Sequence, residues 1–205
     1  MALTRVKVFI GGRVQGVGFR PAVFRYATEN KLTGFVCNTT DGVYIEAEGS
    51  PDDIKKFLEN IRQHPPARSH IKNFSVIYTI PSGREKRFTI LESKRAKSKI
   101  RTELSPDIAT CKECLKELFN PGDRRYLFPF INCTNCGPRF TITEKLPYDR
   151  KNTTMKSFRM CPECLMEYHN PADRRFHAQP DCCFACGPEF FLVKGMTLKR
   201  GVEAI

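Results

Sequence analysis

Eight of the ten cysteines fall into one pattern, written twice at a spacing of fifty residues. Cys111-x2-Cys114 and Cys133-x2-Cys136 make the first copy, with eighteen residues between the pairs. Cys161-x2-Cys164 and Cys183-x2-Cys186 make the second, again with eighteen between. Two thiolates at this spacing converge on one ion, and two such pairs complete a tetrahedral sulfur shell around zinc. The pattern therefore predicts two zinc ions. Both should be structural, because an all-thiolate shell leaves no coordination position for substrate. Sequential and crossed pairing would use the same eight residues; the expectation is one ion within each repeat. The repeat also extends beyond the cysteines. Asn120-Pro121-Gly122-Asp123-Arg124-Arg125 is answered by Asn170-Pro171-Ala172-Asp173-Arg174-Arg175, and Cys136-Gly137-Pro138 by Cys186-Gly187-Pro188. The recurring arginine pairs suit a structural role within each module.

The rival use of cysteine is the disulfide. No secretory signal precedes the run Arg5–Ile10, where charged and apolar residues alternate, so a cytoplasmic, reducing compartment is expected. Iron–sulfur ligation is the other four-thiolate option, and the open spacing of the pairs suits zinc better. Cys182 lies beside Cys183, but only Cys183 preserves both spacings. His169 and His177 lie near the modules and are expected as non-ligands, since each shell is already full. Cys37 reads as a buried strand cysteine. No run of eighteen apolar residues exists, so no membrane span is expected.

A net charge of +12 over 205 residues attracts phosphates of any kind. It raises a rival function, a zinc-dependent nucleic-acid-binding or protein-docking module. Yet residues 108–190 carry 12 basic against 10 acidic residues and form no basic stripe, so nucleic acid is not the expected partner.

The first ninety or so residues read as an independent domain. Residues 4–12 form a strand with Val6, Val8 and Ile10 on one face, followed by a glycine-rich loop. Pro21 fits the first turn of a helix bearing Val23, Phe24 and Ala27. Thr33–Asn38 and Val43–Glu48 are strands joined at Asp41-Gly42, a hairpin signal. Ser50 caps a second helix with Pro51 at its first position and Ile54, Phe57, Leu58 and Ile61 on its buried face. Residues 70–80 and 86–92 alternate as further strands. The class is α+β, a ferredoxin-like βαββαβ sandwich over residues 1–93. A basic stretch, 94–107, reads as a linker, and the double four-cysteine module occupies 108–190. It should contain short helices at 113–119 and 163–169.

The loop Gln15, Gly16, Val17, Gly18, Phe19, Arg20 is the candidate phosphate site. Its glycines let amides turn toward an anion at a helix N-terminus, and Arg20 adds a planar guanidinium. An ordinary tight glycine turn is the competing account. The stretch Gly12–Arg20, with Gly34-Phe35-Val36-Cys37-Asn38-Thr39-Thr40-Asp41-Gly42-Val43, resembles the acylphosphatase signature. That resemblance implies that Arg20 binds the phosphoryl group and Asn38 orients the attacking water.

Together with the doubled cysteine modules, Pro106–Cys111, Pro129–Cys133, Leu146–Arg150 and Arg175–Pro180, the whole chain resembles the N-terminal part of the HypF carbamoyltransferases. The resemblance implies cleavage of carbamoyl phosphate to carbamate and phosphate. It further implies ATP-dependent transfer, by later domains, to the C-terminal cysteine of the partner HypE, for the cyanide ligands of [NiFe]-hydrogenase. Residues 191–205 would begin a truncated YrdC-like domain, and the chain would be a fragment.

Overall fold

A computed structural model describes residues 3–94 and 102–204. The first domain runs β1 (Thr4–Arg13), α1 (Phe19–Glu29), β2 (Thr33–Thr39), β3 (Gly42–Gly49), α2 (Pro51–Gln63), β4 (His70–Thr79) and β5 (Phe88–Ile90). The sheet order is β4-β1-β3-β2-β5, antiparallel except for β5, which runs parallel to β2. This is the expected α+β sandwich with a fifth strand at one edge. Alternation along β1 sends Val6, Val8 and Ile10 inward, where they meet Val36, Ile45, Ile54, Phe57 and Ile61 in the core. Each buried side chain of this size contributes about 1.5–3 kcal/mol. The Ser50 hydroxyl accepts from the Asp53 amide at 3.2 Å, so α2 begins where the cap signal placed it.

In the second domain, α3 (Lys112–Leu118) and α4 (Pro162–His169) each start directly after a cysteine. Cys111 and Cys161 occupy the N-cap positions, and Cys114 and Cys164 lie in the following turn. Each helix then runs into its Asn-Pro turn. Asn120 Oδ1 accepts from the Gly122 amide and Asn170 Oδ1 from the Ala172 amide, both at 3.0 Å. Asp123 and Asp173 accept from the amides of Arg125 and Arg175 at 2.8 and 2.7 Å. Short side-chain carboxylates and amides closing local turns explain why this hexapeptide is written twice.

Of the stretch 94–107 expected to link the domains, 95–101 lie outside the described residues. Thr102 is buried, its amide donating to Thr40 O and its hydroxyl to Gly12 O, both at 2.9 Å. The strand-like tail is a hairpin, β6 (Phe191–Lys194) and β7 (Thr197–Arg200), exposed along its length. Among the described residues, no helix is long and apolar enough to cross a membrane.

Candidate active site and metal centres

The loop between β1 and α1 requires two residues with left-handed backbone, Gly16 at φ 71° and Gly18 at φ 76°, where glycine alone is unstrained. At Gly16 there is a second constraint, since a Cβ would stand 3.0 Å from Arg139 Cδ. Val17 turns into the hydrophobic core, which anchors the loop from beneath. Among the described residues, the amides from Gly16 to Arg20 donate to no backbone carbonyl, so they are available to an anion. Gln15 is buried and fully engaged: its Nε2 donates to Thr39 O at 2.7 Å and to Gly42 O at 2.9 Å. It ties the loop to the β2–β3 turn, and so to Asn38.

Arg20 and Asn38, far apart in sequence, are both buried and line one cavity of about 30 Å3 with the loop. The other wall comes from the second domain. The Tyr148 carbonyl accepts from Asn38 Nδ2 at 3.1 Å and from Arg20 at 3.3 Å, while the Tyr148 amide donates to Gln15 Oε1 at 2.8 Å. Asp149 Oδ1 lies 2.7 Å from the Arg20 guanidinium. Arg139 donates through Nε to Gly16 O, and through Nη2 to Cys133 O and Thr134 O at 2.9 and 3.0 Å. Because a carbonyl can only accept, Tyr148 fixes which end of the Asn38 amide faces it. Among the described residues, Asn38 Oδ1 is left buried without a partner.

The segment carrying Tyr148 and Asp149 is itself clamped. Arg150 donates to Gln179 O, Asp181 O and Phe158 O at 2.7–2.8 Å, and Asn152 Nδ2 to Pro147 O at 2.7 Å. Reasoning from sequence did not assign Tyr148, Asp149, Arg139 or His177 to the candidate phosphate site. A signal was present: Leu146–Arg150 has no counterpart fifty residues on, so the repeat does not account for it. Cys37 is buried, and burial pushes its thiol above the ordinary value.

The eight cysteines gather as two groups, Cys111, Cys114, Cys133, Cys136 and Cys161, Cys164, Cys183, Cys186, the four sulfurs of each within 4.8 Å of one another. Neighbouring sulfurs lie 3.4–3.8 Å apart in the first and 3.6–3.9 Å in the second. A tetrahedral zinc with sulfurs at about 2.3 Å requires edges of about 3.8 Å, so both groups fit the ion. Grouping is within each repeat. Cys182 is buried outside the groups, burial pushing its thiol up to about 12, and neither His169 nor His177 joins a group among the described residues.

One expectation is corrected. The arginine pairs serve chiefly the other module; they cross, although Arg175 also lies 3.5 Å from Asp181 of its own repeat. Arg124 and Arg125 donate to Cys164 Sγ at 3.2 and 3.5 Å and to Glu167. Arg174 donates to Cys114 Sγ at 3.2 Å, and Arg174 and Arg175 both pair with Glu117. Arg125 Nε also donates to Cys182 O at 2.9 Å and Arg175 Nε to Asn132 O at 3.1 Å. The physical reason is that an arginine just after each turn reaches away from its own helix, to the equivalent helix of the other repeat. These guanidiniums are engaged with sulfurs and carboxylates inside the module.

Comparison with known proteins follows the same division. Residues 6–90 match the acylphosphatase family, and residues 110–143 and 160–193 each match the HypF finger. A crystal structure of full-length HypF in the phosphate- and nucleotide-bound form superposes with a TM-score of 0.89 at 48% identity, over 95% of this chain and 26% of that one. The chain belongs to the HypF family. A probable carbamoyltransferase HypF of Methanocaldococcus jannaschii is 47% identical over 72% of this chain and 19% of its own length. An acylphosphatase of Thermotoga petrophila is 42% identical over 42% of this chain and 93% of its own length. The chain thus spans about a fifth of the length of the curated HypF relatives it matches.

Proposed function

We propose that this chain hydrolyses an acyl phosphate, carbamoyl phosphate, at the Gln15–Arg20 loop, as the first step of a carbamoyltransferase. The observation that carries the proposal is the convergence of buried Arg20 and Asn38 on one cavity, with Asn38 Oδ1 unpartnered and the loop amides unspent among the described residues. Arg20 and the amides hold the phosphoryl oxygens and balance the charge that gathers there in the transition state. Asn38 Oδ1 accepts a hydrogen bond from the attacking water and so turns its lone pair toward phosphorus. The bond from water oxygen to phosphorus forms as the bond from phosphorus to the acyl oxygen breaks. The water proton passes to a phosphoryl oxygen, and carbamate leaves. The two four-cysteine groups would hold structural zinc.

In the whole protein, further domains would activate the carbamate with ATP and transfer the carbamoyl group to HypE. The family resemblance supports that reading.

Phosphate release from carbamoyl phosphate by the 205-residue chain tests the site. Arg20→Ala should lower the rate on the order of 10²-fold or more, and Asn38→Ala should lower kcat more than it raises KM. Wild-type rates in Arg20→Ala would return the loop to a plain glycine turn.

A further inference from the structure

The cavity above the phosphate loop is roofed by the second domain, through Thr134, Arg139, Tyr148, His177, Ala178 and Gln179. The loop and this roof face each other across a narrow cavity of about 30 Å3, so an acyl phosphate seated on the loop would lie against the roof. Two residues lining it carry side-chain polar atoms that are buried and, among the described residues, without a hydrogen-bond partner: Asn38 Oδ1 and the Tyr148 hydroxyl. Buried hydroxyls are nearly always bonded, and an orphan costs stability, so each one calls for a reason. The water-orienting role proposed for Asn38 accounts for the first. Nothing so far accounts for the second.

Tyr148 is held firmly in place. Its amide and carbonyl are bonded to Gln15, Asn38 and Arg20, three members of the loop and strand that make the site. Among the described residues the phenol makes no hydrogen bond of ordinary geometry, although the Arg139 guanidinium lies beside it. Burial keeps it protonated, its pKa pushed up to about 12 against the opposing pull of Arg139 and Arg20. A neutral phenol has its proton to give.

We propose that the Tyr148 hydroxyl donates a hydrogen bond to an oxygen of the bound acyl phosphate, so that the hydrolytic site is shared between the two domains. This rests on the reading of the Gln15–Arg20 loop given above. It adds a substrate-contacting residue that an acylphosphatase domain alone does not contain.

The test is Tyr148→Phe in the zinc-loaded 205-residue chain, which keeps every main-chain contact and removes one oxygen. Phosphate release from carbamoyl phosphate should lose on the order of tenfold in kcat/KM, while the melting temperature stays level or rises. That split is the signature, since a hydroxyl with a structural role would lower stability when removed. A kcat/KM within about twofold of wild type would overturn the proposal, as would a fall in melting temperature or failure to fold. Arg20→Ala, run in parallel, separates the two readings. If wild type is active, Arg20→Ala is inactive and Tyr148→Phe is unaffected, only the Tyr148 assignment fails. If wild type is inactive or Arg20→Ala is fully active, both fail.

Discussion

Asp149 and Arg20 stand 129 residues apart in the chain and 2.7 Å apart in space, as a buried ion pair between the two domains. Arg20 is the cation on which phosphate recognition would depend, and burial would otherwise leave it uncompensated. Its partner comes from the second domain, on a segment that also bonds Gln15 and Asn38. The cysteine module therefore supports the candidate active site directly, as well as itself.

Asp149→Asn should expose that dependence. It leaves Arg20 buried without its countercharge, a loss of about 3–5 kcal/mol for a pair this enclosed. Orthophosphate offers the missing charge, and a ligand that binds only the folded state raises its stability. The variant should melt lower than wild type and gain more in melting temperature from added phosphate. Equal melting temperatures and equal phosphate gains would mark the ion pair as incidental to anion binding.

The crossed arginines predict an inverted pattern of metal loss. Arg174 lies on Cys114 Sγ of the first group and Arg124 on Cys164 Sγ of the second, each at 3.2 Å. Guanidinium N–H groups spread the negative charge of a four-thiolate shell, and removing such an outer contact typically costs about 10–100-fold in metal affinity. Arg174→Ala should therefore weaken zinc at Cys111–Cys136, and Arg124→Ala zinc at Cys161–Cys186. Chelator challenge followed by mapping of alkylated cysteines reads this out; weakening of each arginine's own repeat would refute it. Elemental analysis should give two zinc ions in wild type and in Cys182→Ser, and fewer in Cys183→Ser.

Much of this was legible in the chain because it depends on local spacing. The x2 and x18 intervals define the two sulfur groups, and the Ser50 cap, the Asp41-Gly42 turn and the alternation of Val6, Val8 and Ile10 place their elements. Gly16, Gly18 and Arg20 identify the loop through backbone conformation and charge at a helix start. What escaped was long-range. Tyr148 meets the site through its main-chain atoms, which no residue type announces, and its partners lie 110–133 residues away. A fifty-residue period shows that Arg124 and Arg174 are equivalent, but equivalence is the same whether they serve their own copy or the other.

His177 makes the acid limb of stability measurable. Burial, reinforced by the positive charges of Arg20 and His169, holds its imidazole down to about 3 from an ordinary value of 6.5. Between those two pH values the unfolded chain takes up a proton that the folded chain refuses. Stability therefore rises with pH across that window, and falls as pH drops through it, by up to about 1.4 kcal/mol per pH unit. His177→Asn removes the titrating group and suits the residue's left-handed backbone at φ 56°. Thermal melts of both proteins at pH 7 and pH 5 should show the variant losing less stability on acidification. Buried Asp181, raised to about 6, and protonation of the zinc thiolates act in both proteins and cancel in the comparison. Equal losses would mean that His177 takes up its proton in the folded state as readily as in the unfolded chain.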